Sequence, residues 1–170
     1  TTIEINDQLL SSTGFLKASL DRIQAEAEKA VDEQYTILIL SDRSQNETHT
    51  AIPMLLAVGA VHHHLIRTNR RTQCDIVVET GDAREVHHFA TLIGYGTGAI
   101  NPYLAYESLH QLRDENVVNS EWDDATVDDR YIEAVDKGII KVMSKMGIST
   151  VSSYRGAQIF EAVGLGKELV

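Results

Sequence analysis

KGIIKVMSKMGISTVSSYRGAQIFEAVGL, Lys137 to Leu165, decides the architecture, because a helix end, a stop, a short apolar run and a second helix start follow one another in it. Ile132, Val135, Ile139, Val142, Met143 and Met146 recur at helical spacing. That spacing predicts a helix beginning near Asp129, laying one apolar stripe on a core and ending at Gly147, which can take the left-handed conformation that closes a helix. Ile148 to Val151 is short, apolar and β-branched, the composition of a buried strand. Ser152 or Ser153 then caps a second helix carrying Ile159, Phe160 and Val163. On this reading Tyr154, Arg155 and Gln158 lie at the strand's carboxyl end, the side where open parallel sheets bind ligands.

Outward from there, the chain alternates strands and helices. Leu16, Leu20, Ile23, Ala27 and Val31 make one stripe of a helix from about Thr13 to Asp32. Thr36 to Leu40 has the pattern of a parallel strand buried on both faces. Ile52 to Thr68 is apolar nearly all round, with Pro53 where a first helical position tolerates it, so this helix is expected among the most buried. Asp75 to Glu79 is the second strand, and Gly81-Asp82 turns the chain into a helix with Val86, Phe89, Ala90 and Ile93 on one face. Gly94, Gly96 and Gly98 break it before a very short strand at Ala99-Ile100. Asn101-Pro102 starts a helix running to about Leu112, and the acidic, aperiodic Asp114 to Asp129 reads as a surface loop. The order βαβαβαβα forces a parallel sheet with right-handed crossovers. The expected fold class is therefore α/β, a single domain over residues 1–170 with a parallel sheet of about four βα units, resembling half of a barrel-like domain.

Composition bounds the function. The chain has 170 residues, 43% hydrophobic, and no apolar run long enough to span a bilayer. It opens at Thr1 with no charged-then-apolar leader, so a cytoplasmic location is expected. A single cysteine, Cys74, excludes an internal disulfide and any iron-sulfur or zinc cluster held by cysteines of this chain alone. The formal charge of -10 argues against a nucleic-acid partner.

His62, His63 and His64 invite a metal, but neighbours on a helix point about 100° apart and do not converge on one ion. His87 and His88 share that defect, although His88 lies four residues after Arg84. Asp42, Arg43, Glu79, Asp82 and Arg84 form the sharper cluster, since parallel strands bring their carboxyl ends together; with Arg155 and Gln158 they are the candidates for a strand-end ligand or interface site. The same charges can instead cap helices and pair with one another. Gly94 to Gly98, GYGTG, follows a helix, whereas a dinucleotide loop follows a strand, so it reads as a turn. No nucleophile motif and no Walker lysine is present.

Four stretches then carry a resemblance: ILILSDR at Ile37 to Arg43, AIPMLLAVGAVHHHLIR at Ala51 to Arg67, IVVETGDAREVHHFATLIGYGTGAINPYLA at Ile76 to Ala105, and KVMSKMGIST with SYRGAQIFEAVGL. In this order they resemble the carboxyl-terminal part of the central domain of the glutamate synthase large subunit. The resemblance implies an oxidoreductase parent that makes glutamate from glutamine and 2-oxoglutarate in ammonia assimilation. It also implies an amidotransferase domain and an FMN-binding domain with a 3Fe-4S cluster elsewhere in the parent chain, and a scaffolding part for this segment beside the ammonia path. No catalytic residue, cofactor ligand or metal ligand is implied here. The alternative is a free-standing α/β module binding a small anionic metabolite. A sheet cut to four units also needs cover for an edge or apolar face, so the isolated chain is expected to self-associate as a homodimer unless its amino-terminal helix folds over that face.

Overall fold

The computed structural model describes residues 1–8 and 14–164. Its elements in chain order are β1 (Thr2–Glu4), β2 (Asn6–Gln8), α1 (Phe15–Asp32), β3 (Ile37–Ser41), β4 (His49–Ala51), α2 (Met54–Arg67), a 3-10 turn at Arg71–Gln73, β5 (Asp75–Glu79), α3 (Val86–Gly94), β6 (Ala99–Asn101), α4 (Tyr103–Asp114), α5 (Asp124–Met146) and α6 (Val151–Tyr154). Strands β1, β3, β5 and β6 form one parallel sheet in that spatial order, while β2 and β4 pair antiparallel as a separate ribbon. The α/β class and a parallel sheet of four strands agree with the sequence, although one of the four is a different segment from the one expected. The Thr13 start proposed for the first helix and the Leu165 end of the last lie outside the described residues.

Strands adjacent in space are also successive in the chain, so right-handed crossovers put α1, α2 and α3 on one side of the sheet. Register follows suit. Ile3, Leu40, Val78 and Ile100 form one row across the four strands, and Leu38 and Ile76 a second row on the same side. These residues share one core with Leu20, Ile23, Ala27 and Val31 of α1, Ala57, Val58, Val61 and Leu65 of α2, and Phe89 and Leu92 of α3. The opposite rows, Thr2-Ile39-Val77-Ala99 and Ile37-Asp75, have no such cover: Ile37 is 52% exposed and Thr2 and Ala99 are exposed. The expectation that these strands are buried on both faces is thus corrected. The first helix does fold onto the sheet, but onto the side it shares with α2.

Other expectations are corrected as well. There is no strand at Ile148 to Val151. Gly147, at φ 71°, ends α5, and the N–H of Ile148 turns back to the carbonyl of Met143, while Thr150 caps the single turn α6 by accepting from the N–H of Ser153. The fourth strand is instead β1, so the position beside β3 is filled by the start of the chain. The second helix proposed after the serines stops at Tyr154, because Gly156 and Gln158 take positive φ; Ile159 and Phe160 are half-buried outside any helix and Val163 is 90% exposed. Helix α5 begins earlier than expected, at Asp124, because the Asp123 carboxylate accepts from the N–H of Thr126 and supplies the cap. Its buried stripe is Val127, Val135 and Met143; Ile132 and Met146 face outward. Helix α2 likewise exposes Leu55 and Ile66, with Pro53 at its cap position.

Helix α5 crosses α3 at Gly138, where a Cβ would lie 2.2 Å from Cγ2 of Val86. Gly138→Ala gains roughly 1 kcal/mol of helix propensity and loses about 1–3 kcal/mol to overpacking against a stiff β-branched neighbour. Urea unfolding is expected to show a net loss of stability, relieved when Val86→Ala is combined with it.

Candidate functional site

The sheet's carboxyl end is built around Asp42, which follows β3 and is buried. Its carboxylate accepts from the Thr80 hydroxyl at 2.7 Å and from the N–H of Gly81 at 3.1 Å, and takes a further hydrogen bond from the Tyr103 hydroxyl. The adjacent strand ends are thereby tied together, and the loop after β5 is drawn over the sheet. Burial, then the bond and charge of Asp42, push Tyr103 up to about 12.

Next to it, Glu79 ends β5 and points to the uncovered face. Its two oxygens accept from the Ser41 hydroxyl at 2.7 Å and from Nε of Arg43 at 2.9 Å. The Ser41 hydrogen bond, followed by Arg43, holds its carboxyl below the usual range. The Arg43 guanidinium stacks 4.1 Å over the Tyr103 ring and reaches Glu107 at 3.5 Å. Asp82 lies beside the first turn of α2, its carboxylate accepting from the N–H of Met54 at 3.4 Å. Pro53 has no side-chain oxygen to offer there. Arg84 turns back to the carbonyl of Gly81, and its own carbonyl accepts from the Tyr131 hydroxyl of α5.

The five strand-end candidates are therefore gathered at one end, and each is engaged by neighbours of the fold. Arg155 and Gln158 are not with them. Arg155 binds the Asp75 carboxylate at the start of β5, at the sheet's amino end, because its expected strand does not form. Tyr154 is fully buried, its hydroxyl donating to the carbonyl of Ala90. Three participants carried no sequence signal: Ser41 and Thr80, whose hydroxyls donate to the strand-end carboxylates, and Arg71, in the turn before β5. Tyr103 was legible only as the residue after Asn101-Pro102.

The histidines separate. The His62 ring accepts from Nε of Arg71 at 3.0 Å, and His64 meets Glu28 at 2.7 Å. The His88 ring accepts from the backbone N–H groups of Arg84 and Glu85, completing a capping box with Glu85 at the start of α3. Among the described residues no three His, Cys, Asp or Glu side chains converge to hold an ion. Nor is any helix among them long and apolar enough to cross a membrane.

Comparison with known proteins gives a consistent family. A family model described as the glutamate synthase central domain matches residues 1–166. The chain is 53% identical over 155 residues to the glutamate synthase (NADPH) large chain of Bacillus subtilis, which covers 91% of this chain and 10% of that protein. It is 46% identical over 153 residues to the glutamate synthase (NADH) of Schizosaccharomyces pombe, covering 90% and 7%. With the chloroplastic ferredoxin-dependent glutamate synthase 2 of Arabidopsis thaliana it shares 47% over 167 residues, covering 92% and 10%. The chain thus spans about a tenth of the length of these relatives.

Glu79 supplies a pH test of the strand-end network. Its folded pKa is depressed, so its stabilisation is present above the unfolded value and is lost as pH falls through the folded one. Glu79→Gln is expected to lower stability at neutral pH, and the gap between the two proteins in urea melts narrows as pH drops below about 4.

Proposed function

Because this chain belongs to the glutamate synthase central-domain family, we propose that it is a non-catalytic segment of a glutamate synthase whose work is to hold other domains of the same polypeptide in place. In this reading the amidotransferase domain that releases ammonia from glutamine, and the domain where FMN and a 3Fe-4S cluster reduce the adduct of ammonia with 2-oxoglutarate, lie in the remaining nine-tenths of such a protein. This segment helps enclose the path between them. The observation that carries the reading is the sheet's uncovered face, with Ile37, Ile39, Val77 and Ala99 in its middle and Glu4, Glu79 and Asn101 along its carboxyl rim. Parallel sheets are ordinarily covered on both sides. Strand-end groups whose polar atoms are bonded to one another and to the backbone support a structural part over the alternative of a metabolite-binding module. Asp42, Arg43, Glu79, Asp82 and Arg84 belong, on this account, to the contact surface.

The occupant follows from size. Strands of three, five, five and three residues, about 4.8 Å apart, present roughly 250 Å². A stable interface between separate molecules buries roughly 800 Å² on each side, so a second copy is held weakly, whereas a tethered segment needs far less contact. In isolation the chain pairs through this face in a concentration-dependent way. The names of the relatives carry NADPH, NADH and ferredoxin at similar identities. The choice of electron donor is accordingly assigned to other parts of those proteins, as are the flavin and the cluster, for which Cys74 is one thiol alone.

Val77→Arg tests this directly. In the isolated chain it is expected to change unfolding free energy by less than about 1.5 kcal/mol, since Val77 is half-buried and outside the core, and to abolish the mass increase expected by sedimentation equilibrium between roughly 10 μM and 1 mM. Unfolding by this variant, or association that persists unchanged, contradicts the proposed interface. Stoichiometric absorbance between 350 and 500 nm in the purified chain contradicts the placement of the flavin.

A further inference from the structure

The sheet's amino end holds an unbalanced group of charges. Arg71 and Arg155 both donate to one carboxylate, that of Asp75, leaving an excess positive charge in a chain whose formal charge is -10. All three guanidinium nitrogens of Arg71 are engaged, Nε by His62, Nη1 by the carbonyl of Cys74 and Nη2 by that of Gly96. Arg155, 30% exposed, makes its contacts through Nη2, and among the described residues its other nitrogens have no acceptor within hydrogen-bonding distance.

Beside this group is a cavity of about 270 Å³ between α2 and the segment after α6, lined by His62, Tyr95, Gly156, Gln158 and Phe160 among others. His62 joins the two. Its Nδ1 accepts from Arg71, so the proton of the neutral ring is on Nε2, which lies 3.6 Å from where a Cβ on Gly156 would stand, at the cavity wall. Gly96, at φ 107°, packs against the other side of the ring, where a Cβ would come within 2.4 Å of Nδ1, and this close approach fixes the ring's orientation. Burial first, and then the charges of Arg71, His63 and Arg155, hold His62 down at about 4, so at neutral pH it presents a donor and no charge of its own. Gln158 has a φ of 55°. The other non-glycine residues with positive φ, Gln34, Asn69 and Asn116, each stand just past a helix cap, where that conformation is ordinary. Gln158 has no such reason, and this strained residue stands exposed at the edge of the cavity.

We infer that this cavity is a binding site for a small organic carboxylate, its oxygens met by the His62 Nε2–H and the Gln158 amide within the field of Arg71 and Arg155, and its apolar body by Phe160 and Tyr95. The positive field excludes a cation. Inorganic phosphate has no apolar portion for the ring-lined wall to hold. The residues lining the cavity lie off the uncovered sheet face; Asp75, which the two arginines share, is the one residue of that face the group touches.

The test is a titration of the 170-residue chain with benzoate, butyrate and inorganic phosphate at fixed ionic strength, read by the histidine ring signals in NMR. Benzoate or butyrate is expected to shift the His62 signals saturably and to raise the His62 pKa above about 4, because a bound negative charge favours the protonated ring. His110, paired with Asp128 on α5, stays unmoved. Arg155→Gln and Gln158→Ala are each expected to weaken binding about tenfold, the loss of one charge-assisted or polar contact. Gln158→Ala leaves the Arg155-Asp75 contact intact, so it reads binding even if Arg155→Gln loosens the segment. Absence of saturation up to roughly 50 mM, a weak limit for any specific site, overturns the inference. So does an equal response to phosphate, or full retention of affinity in Gln158→Ala.

Discussion

The fold depends on the rows of apolar side chains that β1, β3, β5 and β6 present to one side. Ile3, Leu40, Val78 and Ile100 line up because the strands are in parallel register, and Leu38 and Ile76 extend the same surface. Each such side chain, fully buried, contributes roughly 1.5–3 kcal/mol. Chain order and handedness commit α1, α2 and α3 to that side, so the apolar stripe of each has a place to go. The same commitment leaves Ile39, Val77 and Ala99 on the other side, outside the core, the first two half-buried and the last exposed. A surface of this kind is the direct consequence of a sheet whose crossovers all fall one way.

The sheet's two ends are treated differently. At the carboxyl end a buried carboxylate, Asp42, is satisfied by Thr80, Gly81 and Tyr103, and Glu79 by Ser41 and Arg43. Acceptors and donors balance there, which ties the strand ends to the neighbouring loops. At the amino end the balance fails: two guanidinium groups meet one carboxylate beside a cavity. Charge left over in this way needs either solvent or a ligand of opposite sign.

Much of this was legible in the sequence. The runs at Ile37, Asp75 and Ala99 are strands because their apolar, β-branched composition suits buried sheet, and the stripes of α1, α3 and α5 follow helical periodicity. β1 was hidden because only Ile3 of its three residues is apolar, and a strand that short is specified by its neighbour rather than by its own composition. Ile148 to Val151 has better strand composition than β1, yet the turn closing α5 and the Thr150 cap commit those residues elsewhere. The strand-end cluster could be read from topology alone, since any charges just past parallel strands converge. The group at the amino end could not: Arg155 comes from the far end of the chain and meets Asp75, Arg71 and His62 only once the segment after α6 is folded back against the sheet.

The central claim is that the bare side of the sheet is a contact surface for other parts of a longer polypeptide. Hydroxyl-radical footprinting of Ile37, Ile39 and Val77 tests it most directly, comparing the isolated chain at low concentration with the same residues inside a whole glutamate synthase large chain. The account predicts that all three react readily in isolation and become protected in the whole protein, while Leu38 and Val78, buried under the helices, are protected in both. Equal reactivity of Ile39 and Val77 in the two proteins would contradict it.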